Sequence, residues 1–146
     1  MSNQPNLATG LLSNLVGLPC SGIEKPSDSL WQFHFGEQEA HLDLEQPWRL
    51  IVNGAVRFAS SDDGQKFGLP EPLNGAKLCR ELLLHKRVAN FELRPDVSDL
   101  TLIFEDGARL EIFVFSAGYE GWSFQIKGGR TMTALGGGDV AIWGPT

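Results

Sequence analysis

Cysteine is almost missing from this chain. Cys20 and Cys79 are the whole complement in 146 residues. There is no CxxC pair and no Cys/His cluster at zinc spacing, so neither a zinc ribbon nor a dithiol redox motif can be written on the sequence. Two buried free thiols in a reducing compartment are the expectation. Basic residues are also few: 12 Lys and Arg stand against 18 Asp and Glu, a formal charge of −6 with pI near 5.0. That balance works against a nucleic-acid binder, which gains affinity by neutralising phosphates, and against docking on an anionic membrane. It leaves room for a basic protein partner, because a negative face speeds encounter with a positive one. Long apolar runs are missing too. Leu11-Leu12 and Leu15-Val16 are broken by Ser13, Asn14 and Gly17, far short of the roughly 20 apolar residues of a membrane helix. With no basic stretch ahead of them they do not read as a secretory signal, and a cytoplasmic location is expected.

What the chain does have is ring volume. Nine Phe and four Trp stand against one Tyr, with 42% hydrophobic residues overall. That is ample for a packed interior, and the length suits one domain over residues 1–146. Residues 1–5 read as a loose N-terminus and 6–29 as a helix and loop. In that helix Asn6 caps Leu7–Val16, with Leu7, Leu11, Leu15 and Leu18 as its stripe. Gly22 and Pro26 mark Ser21–Ser29 as a turn-rich connection.

Residues 30–146 form a β-rich body. Period-2 alternation is clear in Leu30–Phe35, where Trp31, Phe33 and Phe35 share one face, and in Ala40–Glu45, where Ala40, Leu42 and Leu44 do. Asn53-Gly54 and Asp106-Gly107 supply the positive φ of tight hairpin turns. Between the hairpins, Asn74 caps a helix over residues 75–85 with Leu78, Cys79, Leu82 and Leu83 as its apolar face. The sum is an α+β fold of about nine short strands. It is expected to form a curved, mainly antiparallel sheet or half-open barrel, with the central helix packed on it and a short N-terminal helix.

Chemistry is harder to place. His41, Asp43 and Glu45 alternate on one strand and project from one face about 7 Å apart. Imidazole with two carboxylates is a ligand set for a divalent metal, and His34 can join from the neighbouring strand. The competing reading is a solvated sheet face. Glu120 stands between Tyr119 and Trp122; burial among those rings would make it a candidate general acid or base. The alternative is an edge carboxylate accepting N–H bonds. Gly136-Gly137-Gly138 lacks the lysine and following helix of a phosphate loop and reads as a turn. There is no G-x-S-x-G elbow. No cofactor is expected.

For partner binding, the candidate exposed anchors are Trp48, Asp62, Asp63 and Trp143. For a small molecule, a pocket between sheet and helix would be lined by Trp31, Phe91 and Trp122. An unpaired sheet edge offers a route to a homodimer.

The tail carries a resemblance. Tyr119-Glu120-x-Trp122 followed by Gly137-Gly138-x-x-Ala141-x-Trp143 resembles a family of small uncharacterised bacterial proteins with Y-E-x-W and then G-G-x-x-A-x-W near the C-terminus. Leu30-Trp31 and Trp48-Arg49-Leu50 are similar to that family's early strands. The resemblance implies a mixed α/β fold and no particular catalytic residue. In size and charge the chain is also similar to immunity proteins, which neutralise a toxin by binding it. The functional expectation is a non-catalytic protein-binding domain of bacterial type. The alternatives are a small metal-dependent or acid–base enzyme using His41, Asp43 and Glu45, and a small-molecule binder.

Overall fold

The computed structural model describes residues 4–45 and 47–145. Of the stretch 1–5 expected to be loose, residues 1–3 lie outside the described residues. The described residues fold as eleven antiparallel strands in two sheets with two short helices. The first three strands, β1 (Cys20–Ser27), β2 (Leu30–Phe35) and β3 (Ala40–Leu44), open one sheet. The next five, β4 (Trp48–Val52), β5 (Ala55–Ala59), β6 (Val88–Leu93), β7 (Leu100–Phe104) and β8 (Arg109–Ile112), form the other. The chain then returns to the first sheet with β9 (Trp122–Ile126), β10 (Thr131–Ala134) and β11 (Val140–Trp143). The orders are β1-β2-β3-β9-β10-β11 and β5-β4-β8-β7-β6.

Alternation decides which side chains enter the core. Trp31, Phe33 and Phe35 on β2, Ala40, Leu42 and Leu44 on β3, and Trp122 and Phe124 on β9 are all buried. They meet Trp48 and Leu50 on β4, Phe58 on β5, and Leu100, Leu102, Leu110 and Ile112 on β7 and β8 in one hydrophobic cluster. Trp48 is the hub. It meets Trp31 and Phe33 edge-on from the facing sheet, with ring centroids 4.9 and 5.1 Å away, and Phe58 beside it at 5.5 Å. Edge-on aromatic packing of this kind adds about 0.5–1.5 kcal/mol per pair beyond area burial.

In place of the expected curved sheet or half-open barrel of about nine strands, the described residues form eleven strands in two sheets, and the turn-rich connection Ser21–Ser29 is mostly strand β1. Gly22 and Pro26 are punctuation in most contexts. Here they sit on an edge strand whose pairing with β2 shifts register between Cys20 and Gly22 and again between Glu24 and Ser27. An edge tolerates both the missing proline N–H and the irregular register. A second shift, between Val88 and Asn90 on β6, turns Val88 inward and leaves Ala89 exposed, against the expected face of Ala89, Phe91 and Leu93.

The helices close the sides. Helix α1 (Gln4–Leu12) packs against β11 and continues as a 3-10 turn over Ser13–Leu15 that meets β6. It begins before Asn6, so Asn6 lies within it and is not its cap. Its buried residues are Ala8, Leu12 and Leu15, while Leu7 is exposed. Helix α2 (Gly75–Leu83) packs on β1 and reaches β5. The Lys77 backbone N–H donates to Asn74 Oδ1 at 3.1 Å, the cap expected from sequence. The helix stops two residues short of the expected end, and His85 beyond it takes φ +72°. Cys20 and Cys79 are free, buried thiols, both pushed up to about 12 by burial. No helix among the described residues is long and apolar enough to cross a membrane.

Candidate functional site

One end of the two-sheet body opens into a groove of about 580 Å³. Its apolar wall is Trp31, Trp48, Phe113 and Phe115. Trp31 comes from the start of β2 and Trp48 from the first position of β4. The Trp48 backbone N–H donates to Ser60 Oγ at 3.1 Å, which ties β4 to the 3-10 turn Ser60–Asp62 after β5. Phe113 follows β8, with its N–H donating to Pro47 O at 2.9 Å. Phe115 is 71% exposed, an unusual position for a ring of that size.

Four charged side chains also line the groove: Lys25, Arg49, Asp28 and Glu45. The two cations are already neutralised. Lys25 Nζ donates to Asp63 Oδ2 at 2.8 Å and lies 5.1 Å from the Trp31 ring centroid. Arg49 Nε donates to Glu111 Oε1 at 2.6 Å, and its guanidinium sits 5.4 Å from the Phe113 centroid. Neither Asp63 nor Glu111 belongs to the lining. The two anions are exposed and have no ion pair among the described residues. The groove thus presents free carboxylate beside aromatic surface, with its own cations occupied elsewhere.

Trp48 adds a second asymmetry. It is 1% exposed, and its indole N–H is buried with no hydrogen-bond acceptor among the described residues. The other core tryptophan of comparable burial, Trp122, donates its indole N–H to Ser98 O at 2.9 Å. An unpaired buried donor costs about 1–3 kcal/mol.

Asp63 holds this end together. Its Oδ1 accepts from the Gly75 N–H at 2.8 Å while Oδ2 takes Lys25. Burial works to raise its carboxyl pKa, but the hydrogen bonds from Lys25 and Gly75 and the Lys25 charge outweigh it, and the net shift is downward. A folded-state pKa below the unfolded one stabilises the fold above the unfolded value near 4 and withdraws that support as pH falls through the folded value. Asp106, held down by Lys86, acts in the same direction. Urea midpoints are therefore expected to fall between about pH 5 and 3. Asp63→Asn should lower stability by about 1 kcal/mol at neutral pH and flatten that acid limb; an acid limb as steep as wild type would contradict this assignment.

Several residues expected to act from the sequence stand elsewhere. Trp48 is core and cannot be an exposed anchor. Asp62 accepts from the Ala59 N–H at 3.0 Å, capping its turn, and Asp63 is engaged as described. Trp143 is 51% exposed on the edge strand β11. Glu120 is exposed, next to an 80% exposed Tyr119, so of its two readings the one enclosed among rings falls. The segment around it lies outside β9, so alternation does not carry it inward. Trp31, Phe91 and Trp122 do not share a cavity: Trp31 lines this groove, Phe91 sits half-buried on edge strand β6, and Trp122 fills the core.

His41 and Asp43 project from the outer face of β3, His41 Nε2 lying 3.8 Å from Asp43 Oδ1, but Glu45 lies beyond the strand and lines the groove. No group of three or more His, Cys, Asp or Glu among the described residues is placed to hold a metal ion. Sequence reasoning missed Lys25, Asp28, Arg49, Phe113 and Phe115. Three chain segments far apart in sequence bring them together, and the alternation around Phe113 and Phe115 looked like a continuing strand. Comparison with known proteins finds no matching family model, curated protein or solved structure.

Proposed function

We propose that the protein is a non-catalytic binding protein that takes a basic segment of a partner protein into the aromatic groove. One observation carries the reading: Asp28 and Glu45 stand without ion pairs beside Trp31, Trp48, Phe113 and Phe115. Carboxylates in the same groove as the exposed Phe115 ring suit a lysine or arginine side chain, which gains charge pairing and cation–π attraction. The net charge of −6 favours encounter with a basic partner. The similarity in size and charge to immunity proteins fits the same reading.

The test is a calorimetric titration with a short lysine- and arginine-rich model peptide, and with a glutamate-rich peptide of equal length. The basic peptide is expected to bind saturably and more weakly at high salt, with tryptophan fluorescence changing in step; the acidic peptide is expected not to bind. Equal behaviour of the two peptides, or no binding of either, would overturn the reading.

A further inference from the structure

The outward positions of four neighbouring strands fall on one level of the six-stranded sheet. His34 on β2 stands opposite His41 on β3, His41 opposite Gln125 on β9, and Gln125 opposite Thr131 on β10. Adjacent strands lie about 4.8 Å apart, so this rung is a row of closely spaced polar side chains. The two imidazole centroids are 5.8 Å apart. Gln125 Nε2 donates to Thr131 Oγ1 at 3.3 Å. Together with Gln38 and Lys127 the rung lines a groove of about 450 Å³.

The composition of that groove is opposite to that of the chain. No Asp or Glu lines it, although the chain has 18 of them. Two carboxylates lie near the ring nitrogens without hydrogen-bonding them: Glu24 Oε2 on β1 is 3.5 Å from His34 Nε2, and Asp43 Oδ1 is 3.8 Å from His41 Nε2. Asp43 Oδ1 also accepts from Gln32. Glu39, in the β2–β3 turn, is turned to the Glu37 N–H. Lys127 has no ion pair among the described residues, and His34 Nε2 is buried without a hydrogen bond.

We propose that this groove binds a phosphate dianion, free or as a small monoester. Two imidazoles, one ammonium, two amides and a hydroxyl are donors suited to a polyvalent oxyanion. Phosphate also offers four acceptor oxygens to this row of donors, where a carboxylate offers two. A metal finds too few ligands here.

The histidine ring signals report on this directly by NMR, because the chain has only three histidines and His85 does not line the groove. Inorganic phosphate added near pH 7.5, where the dianion predominates, is expected to move the His34 and His41 signals together and saturably while His85 stays in place. Sulfate, dianionic throughout, is expected to move the same two signals. His41→Gln and Lys127→Met should each weaken binding about tenfold, the value of one charge-assisted hydrogen bond. A sugar phosphate binding tighter than inorganic phosphate assigns the ligand to monoesters, and the reverse assigns it to free phosphate. Three histidines that shift alike, no shift, or acetate that matches phosphate at equal concentration would each overturn the proposal.

Discussion

Replacing Gly138 with alanine is expected to lower the unfolding free energy by about 3 kcal/mol and the melting temperature by roughly 6–12 °C. Two effects combine. Gly138 holds φ at +101°, where a side chain is strained. A methyl group there would also enter the van der Waals shell of Asp96 O, a backbone atom that cannot swing aside. The close approach is part of a larger unit. Ser98 Oγ donates to Gly138 O at 2.6 Å, and Ser98 O accepts the Trp122 indole N–H. Ser98 itself is buried at φ +63°. The glycine run, the β6–β7 loop and a core tryptophan therefore stand or fall together. Gly54 provides the control: its φ is +76°, and nothing lies within 4 Å of a methyl placed there. Gly54→Ala should cost only about 1 kcal/mol of backbone strain. Chemical denaturation of the two variants separates the effects, and equal costs would show that the Asp96–Gly138 approach contributes nothing.

The two core tryptophans should respond differently to loss of their N–H groups. Trp122→Phe is expected to cost about 3 kcal/mol, from lost volume and from leaving Ser98 O without its donor. Trp48→Phe also opens a cavity, but it removes a donor that has no acceptor. Relief of that penalty offsets part of the loss and leaves about 1–2 kcal/mol. Burial alone predicts equal costs, since neither indole is appreciably exposed. Urea midpoints that rank Trp48→Phe as the costlier change would mean that its N–H is satisfied within the fold.

The parts of this fold legible in the sequence are those set by short-range chemistry. Alternation placed Trp31, Phe33, Leu42 and Leu44 inward; Asn53-Gly54 and Asp106-Gly107 marked hairpins; Asn74 marked the start of α2. The division into two sheets was not legible, because the β3–β9 pairing joins residues some 80 positions apart and leaves no local signature. β1 was hidden by Gly22 and Pro26, which edge pairing tolerates. The groove was less legible still. Trp31 and Trp48 were singled out, but for separate roles, and their meeting depends on the packing of one sheet on the other. Glu120 drew notice for its neighbours in sequence, yet those neighbours leave it at the surface. The tail glycines read correctly as a turn, but the reason for them, backbone approach to Asp96 and to the Ala117–Tyr119 segment, is a tertiary fact.

The most direct test of the groove as the binding site is a charge reversal matched for net charge. Titration of the basic model peptide would be compared for the wild type, for Asp28→Lys/Glu45→Lys, and for Glu71→Lys/Glu81→Lys, which makes the same change in total charge at two exposed positions outside the groove. The groove variant is predicted to lose about 100-fold in affinity, the value of two charge-assisted contacts. The remote variant is predicted to lose no more than a few-fold, through weakened long-range attraction. Equal losses in the two variants would contradict the account and reduce the interaction to unspecific attraction between an acidic protein and a basic peptide.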